Sequence, residues 1–355
     1  MMAVNINRYA LLFNGAGSVK IPNKPNISFE SKFTIEAWIK PNNLSTRRAI
    51  FSTREKNAPG SWQFEAGTAS GGTNRLAVTG VGTWIIETVD NVVSIGVWQH
   101  VAYVRDSGND KIYVNGIEQP ISTKTPYAIV DNLDNILIGS GVVSGFDGII
   151  DEVRVWNTAR TQEEIQANMN TQLMGNEFGL VGYWKFNEGT GTVARDASVV
   201  WDDGVVSGAT YTTDVPILIA QWIEPKTDWG EEDFYNYHDL DRVENNSEYL
   251  ANLLSSYRGQ SVSITAFTDR YKKRFEFYDS MNRIESNIQT LADNFFEPVG
   301  WIEPKTDWES GQPFGFRDAN RLERNLALLH DLLLKAFESY KYCGTFYAGE
   351  DGDIY

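Results

Sequence analysis

Through the first 213 residues, apolar and polar positions alternate in short runs separated by Gly, Asn, Asp and Ser, the pattern of an antiparallel β-sandwich. Phe33, Ile35, Ala37 and Ile39 alternate with Thr34, Glu36, Trp38 and Lys40, which predicts a strand with one buried face. Trp98, His100, Ala102 and Val104 share a face of a second strand. Ile112 and Val114 run into Asn115-Gly116, a pair suited to a tight hairpin turn because both positions take positive φ. Val153 and Val155 stand opposite Glu152, Arg154 and Trp156, and Leu180, Gly182, Trp184 and Phe186 repeat the alternation. One helix is predicted among the strands: Thr161 and Glu164 have the spacing of a capping box, with Ile165 and Met169 following at i, i+4.

Beyond residue 221 the period changes. The run WIEPKTDW begins at Trp222 and again at Trp301, 79 positions later, and DLDRVENN from Asp239 aligns with DANRLERN from Asp318. A third partial copy, NRIESN from Asn282, lies between them. Val243, Ile284 and Leu322 each open an apolar stripe, continued by Leu250, Leu291 and Leu329 and then by Leu254, Phe295 and Leu333. An Arg precedes the stripe in every copy (Arg242, Arg283, Arg321), and an Asn follows one helical turn later (Asn246, Asn287, Asn325), so the two are neighbours on the helix. Such a pair either holds a loop, forms a polar layer between helices, or lies on an exposed face. In the octapeptide, Pro225 and Pro304 force the preceding Glu into an extended conformation. Lys226, Asp228, Lys305 and Asp307 belong to a turn, which Trp222 with Trp229, and Trp301 with Trp308, bracket for clamping over a helix.

The composition of 42% hydrophobic and 13% aromatic residues is that of a folded chain. A formal charge of −16 opposes nucleic-acid binding, which needs clustered Lys and Arg. The one cysteine, Cys343, excludes an intrachain disulfide framework and a Cys-based zinc site. No apolar run approaches the ~18–20 residues of a membrane span. The start MMAVNINRYALLF lacks signal-peptide features, so synthesis in the cytoplasm without conventional secretion is expected.

LFNGAGSVKIP, FTIEAWIKP, WQHVAYVRD, KIYVNG, ILIGS, FDGIIDEVRVWNTART and GLVGYWKFNEGTGT, in this order over about residues 9–211, resemble the concanavalin-like laminin-G jelly-roll family. The resemblance implies two antiparallel sheets and rim loops that often bind glycans, in a family where many members are adhesive or structural. It also implies a structural Ca²⁺ at the Asp before a Val-Arg-Val strand. That Asp is Asp151, with Asn14 as a second oxygen ligand; the other reading makes Asp151 a hydrogen-bond acceptor that fixes a turn. Trp62, Trp84 and Trp201 stand near loops and are glycan-contact candidates, against the alternative of ordinary packing. A glycosidase needs two carboxylates on one face. Asp151 and Glu152, being adjacent, should point to opposite faces, and no catalytic residue is assigned. His100 reads as a core histidine.

The PKTDW turn followed by a [DN]-R-[VIL]-E-x-N helix resembles segments of virion structural proteins of phages that infect Gram-positive bacteria. The expected organisation is a jelly roll (1–213), a linker (214–221), a helical repeat domain (222–340) and an extended aromatic tail (341–355). The expected role is a virion protein, which reaches the outside by lysis and so needs no signal peptide. The jelly roll would be displayed toward a cell-surface glycan, the repeats docked to other tail proteins, and the chain assembled as a homo-oligomer. The alternatives are a decoration protein without sugar binding and a polysaccharide hydrolase.

Overall fold

The computed structural model describes residues 7–22, 27–29, 31–56, 58–69, 72–130, 135–268, 270 and 278–342. The chain divides into two compact units, one ending at Ile219 and one beginning at Ala220. Segment 214–219 belongs to the first unit. Asp214 takes bonds from Lys40 Nζ (2.5 Å) and Trp98 Nε1 (3.0 Å), Leu218 is buried, and Ile219 bridges Thr171.

The first unit is an antiparallel jelly-roll-like sandwich of two sheets. In the eight-stranded sheet, Lys32–Pro41 lies between Gln99–Asp106 and Asp147–Trp156, and Ala10–Asn14 pairs with the far side of Asp147–Trp156. In the ten-stranded sheet, Ile121–Lys124, Thr83–Thr88, Gly72–Gly80, Trp62–Ala69 and Arg48–Ser52 are successive neighbours, continuing through Ile136–Ile138 and Ser18–Ile21 to Gly204–Ser207. The inner faces meet in one core whose aromatic centre packs Phe33 on Trp62 with centroids 5.0 Å apart. The Asn115-Gly116 turn takes φ of 49° and 72°, the left-handed pair the hairpin demands.

Lys32–Pro41 departs from the expected single buried face. Thr34, Glu36 and Trp38 are also buried, because a helix and the segment after it roof the outer side of this sheet. Helix α1 (Gln162–Asn168) has its capping box from Thr161 and Glu164 and buries Ile165 against Ala102, Val104 and Tyr113. Trp38 Nε1 donates to Met169 O at 2.7 Å. Under this roof lies a polar cluster centred on Arg154. Its guanidinium bonds Glu152 (2.7 Å) and the carbonyls of Asn168 (2.9 Å) and Thr171 (2.6 Å), and Tyr183 Oη donates to Glu152 at 2.5 Å. Burial works against the Glu36 charge, but His100 and the Arg154 guanidinium together hold its carboxyl below the ordinary value.

The second unit contains three helices among the described residues: α2 (Tyr237–Arg258), α3 (Tyr278–Asp293) and α4 (Phe316–Tyr342). Val243, Leu250 and Leu254, Ile284 and Leu291, and Leu322, Leu329 and Leu333 form their common core, as the stripes require. Helix α2 starts at an Asn236–Asp239 capping box and stops at Gly259, whose φ of 66° suits a left-handed C-terminal cap. Helix α4 continues to Tyr342, so the expected extended tail does not begin at 341: the apolar stripe is prolonged by good helix formers. Cys343 and the rest of the tail lie outside the described residues. No helix among those described is long and apolar enough to cross a membrane.

Replacing Arg154 with Leu strands Glu152 and leaves Glu36 without its guanidinium. The expected loss is about 3–5 kcal/mol of sandwich stability, read by urea unfolding; a loss within error of zero would show the cluster to be dispensable.

Candidate functional site

The polar face of the ten-stranded sheet carries a candidate surface site. Phe64 and Ala66 point into the core, so Gln63 and Glu65 point out. Glu65 is held by the Arg47 guanidinium, by Gln63 Nε2 (2.5 Å) and by Thr79 Oγ1 (3.3 Å). Arg47 also reaches Thr79 (3.1 Å), and its guanidinium carbon lies 4.6 Å from the centroid of the half-buried Trp84 ring. A shallow depression of about 180 Å³ opens here, lined by Arg47, Arg54, Thr79, Gly80, Thr83 and Trp84. Burial raises the Glu65 carboxyl above its ordinary value, although Arg47 opposes this. Two strands away on the same face, Glu87 is paired with Arg75 at 2.9 Å. Glu65 and Glu87 lie in register through Ala77, about 10 Å apart by the inter-strand spacing. Both side chains are buried beneath their arginines, at 2% and 6% exposure, so neither presents a carboxylate to a glycosidic oxygen.

The three tryptophans offered for glycan contact part company. Trp62 is fully buried at the centre of the core and cannot touch a ligand, because its strand turns it toward the opposite sheet. Trp84 lies on the site just described. Trp201 is 39% exposed with φ of 58°, but it leads into Gly204–Ser207, six strand spacings from Thr83–Thr88, or about 29 Å. It belongs to another part of the surface.

Asp151 and Asn14 do not converge. Asn14 pairs with Asp147, four residues from Asp151 along the strand and thus about 13 Å away. Asn14 instead accepts from Ala16 N (3.1 Å), and Asp151 accepts from Asn7 Nδ2 (2.5 Å) and Glu152 N (2.9 Å). Burial, followed by the charge of Glu152, pushes the Asp151 carboxyl well up. The pair therefore does not fit Ca²⁺, and no group of three or more metal-ligating side chains occurs among the described residues. Asp151 and Glu152 do not simply alternate either. Glu152 has φ of 51° and the register shifts between Asp151 and Arg154, a bulge that brings the two carboxylates into electrostatic contact. His100 is buried, with Nε2 3.3 Å from Glu36.

In the helical unit the repeated residues form a closed circuit. Each Asn fixes an extended segment of its own copy through both backbone groups. Asn246 bonds Ile223 N and O (2.9 and 2.7 Å), Asn287 bonds Thr265 N and O (3.2 and 2.7 Å), and Asn325 bonds Ile302 N and O (3.1 and 2.6 Å). Each Arg instead crosses to a fully buried Glu on another helix: Arg242 to Glu323, Arg283 to Glu244, Arg321 to Glu285. The tryptophan closing each octapeptide turn docks on another helix as well. Asn320 brackets Trp229 N and O (3.0 and 2.9 Å), and Asn282 brackets Trp308 N and O (2.7 and 3.1 Å). Lys226 and Lys305 lie over these tryptophan rings at 4.4 and 3.8 Å, and Trp222 stacks on His330 at 3.8 Å.

Sequence reading missed two parts of this circuit. The acceptors Glu244, Glu285 and Glu323 stand two residues after each Arg, a regularity visible in all three copies. The middle copy also has its own extended segment, ITAFTDR from Ile264. There Arg270 replaces the closing tryptophan and bonds Asp241 at 2.9 Å, the position that Asn282 and Asn320 occupy in the other helices.

Two sheets in jelly-roll order with a polar outer face define a lectin-like sandwich. Accordingly, residues 13–166 match the laminin G type of the concanavalin A-like lectin/glucanases superfamily. A candidate carbohydrate-binding protein from Bacteroides ovatus is 28% identical over 61% of this chain and 62% of its own, with a TM-score of 0.50. The match thus spans less than two thirds of that protein. Weaker likenesses are the heptameric SAP-like pentraxin of Limulus polyphemus (15% identity, 59% of this chain, 97% of that one, TM-score 0.42) and domain 4 of AbnA, an extracellular arabinanase from Geobacillus stearothermophilus solved with arabinotriose (22%, 44%, 75%, 0.37). No curated protein matches.

Two outcomes test the circuit. Asn325→Ala removes both partners of the Ile302 backbone and should cost about 1–3 kcal/mol, seen as a lower helical melting temperature at 222 nm. Burial, outweighing Arg242, pushes Glu323 up to about 7 from its ordinary 4.5. A carboxyl raised by folding stabilises fully below its unfolded value, and that contribution is lost as pH rises through the folded value. The helical melting temperature should therefore carry a decline between pH 4.5 and 7 that Glu323→Gln removes; identical pH profiles for the two proteins would refute it.

Proposed function

We propose that this chain is a non-catalytic glycan-binding adhesion protein whose helical unit fastens it to a larger assembly. The observation that carries the reading is the Arg47–Trp84 shelf. A half-buried aromatic ring, suited to the apolar side of a sugar, lies under a guanidinium and near a hydroxyl held in place by buried Glu65. The carbohydrate-binding description of the Bacteroides ovatus protein supports the same reading. Catalysis is disfavoured because the two carboxylates of this face are committed to arginines and covered by them. The PKTDW and [DN]RxExN repeats favour a phage tail as the assembly, with the cyclic Arg–Glu circuit providing a rigid base.

Glycan-array binding by the whole chain, repeated with Trp84→Ala, tests this. The variant should retain its melting temperature and lose about tenfold or more in affinity for glycans held at this face. Because Asp151 and Asn14 do not converge, a chelator should leave binding unchanged. Binding of every glycan undiminished in the variant, or release of new reducing ends from a bound polysaccharide, would overturn the proposal.

A further inference from the structure

The helical unit holds a cavity of about 740 Å³ that the circuit above leaves unused. It opens at the N-terminal ends of the three helices, and the repeat builds it. Its lining takes the same position from each helix: Leu240, Met281 and Ala319 one turn in, and Tyr237, Tyr278 and Phe316 at the first helical residue. One wall is a continuous aromatic chain. Trp229 meets Tyr235 (4.8 Å between centroids), Tyr235 meets Phe314 (5.1 Å), and Phe314 meets Trp308 (6.0 Å). The volume is that of a small-molecule pocket.

Charge selects the ligand class. An anion would face Glu231 and Glu309 in the lining, and the N-termini of α2 and α4 are already capped, by the Asn236–Asp239 box and by Asp318 on Gly315 N (3.0 Å). For a cation, the chain already supplies its own: Lys226 and Lys305 lie over Trp229 and Trp308, and Lys226 neutralises Asp233 at 2.8 Å. What the pocket leaves open is aromatic surface edged by hydrogen-bond acceptors. We infer that it binds a neutral oligosaccharide, whose apolar ring faces stack on the exposed rings of Phe234 and Tyr278 in the lining while its hydroxyls donate to Glu231 and Glu309. This site is separate from the Arg47–Trp84 shelf and does not depend on it.

The test uses the full chain carrying Trp84→Ala, which silences the shelf, on an array of neutral oligosaccharides. Phe234 and Tyr278 are 91% and 43% exposed, so truncating them should not open the core. The Trp84→Ala protein should bind a subset of the array, with hydrogen-exchange protection over 229–240 and 308–319. Adding Phe234→Ala and Tyr278→Ala should weaken that binding about tenfold. The inference fails if the Trp84→Ala protein binds no neutral oligosaccharide, if the added substitutions change nothing, or if tetramethylammonium rather than sugar protects those segments.

Discussion

A carboxylate removed from water must meet a guanidinium or surrender its charge, and both units of this protein are organised around that demand. Beneath the roof of the sandwich, Arg154 joins Glu152, Glu36 and two carbonyls of the covering segment, tying that segment to the sheet. In the helical unit the same chemistry runs round a ring, each helix lending an arginine to a buried glutamate on the next. Removing one partner exposes the other to the full cost of burial, so these contacts enforce a particular arrangement more than they add net stability. Apolar stripes could pack in several registers; a charge that must find one partner admits few.

The same demand shapes the candidate surface site. Glu65 is too deeply covered for chemistry, but it anchors Arg47, and Arg47 in turn is laid on Trp84. A buried acid thereby becomes a positioning device for a half-buried aromatic and guanidinium surface. The helical unit arrives at an aromatic cavity by another path. Three copies of one segment, closed upon one another, place equivalent aromatic side chains around a shared opening that no single copy could enclose.

Much of the fold was legible. Period-2 alternation located the strands, Thr161 and Glu164 announced α1, and the apolar stripes announced the three packed helices, while the repeated Arg and Asn left three roles open. The site was less so. Trp62 and Trp84 both stand at strand ends near glycine-containing turns, yet one lies at the centre of the core and the other on the surface, because a single step of register exchanges the two faces. Asp151 and Glu152 were misread since a bulge, invisible in the residue types, cancels their alternation.

The sequence by itself determined which segments alternate, which repeat, and which residues in each repeat must be polar, since these depend on near neighbours and on local periodicity. Only the tertiary structure decided the pairings: that each Asn would hold its own copy while each Arg reached for another, and that Arg47, Glu65 and Trp84 would meet. Those choices follow from which surfaces are brought together across the fold, over distances that no local pattern encodes.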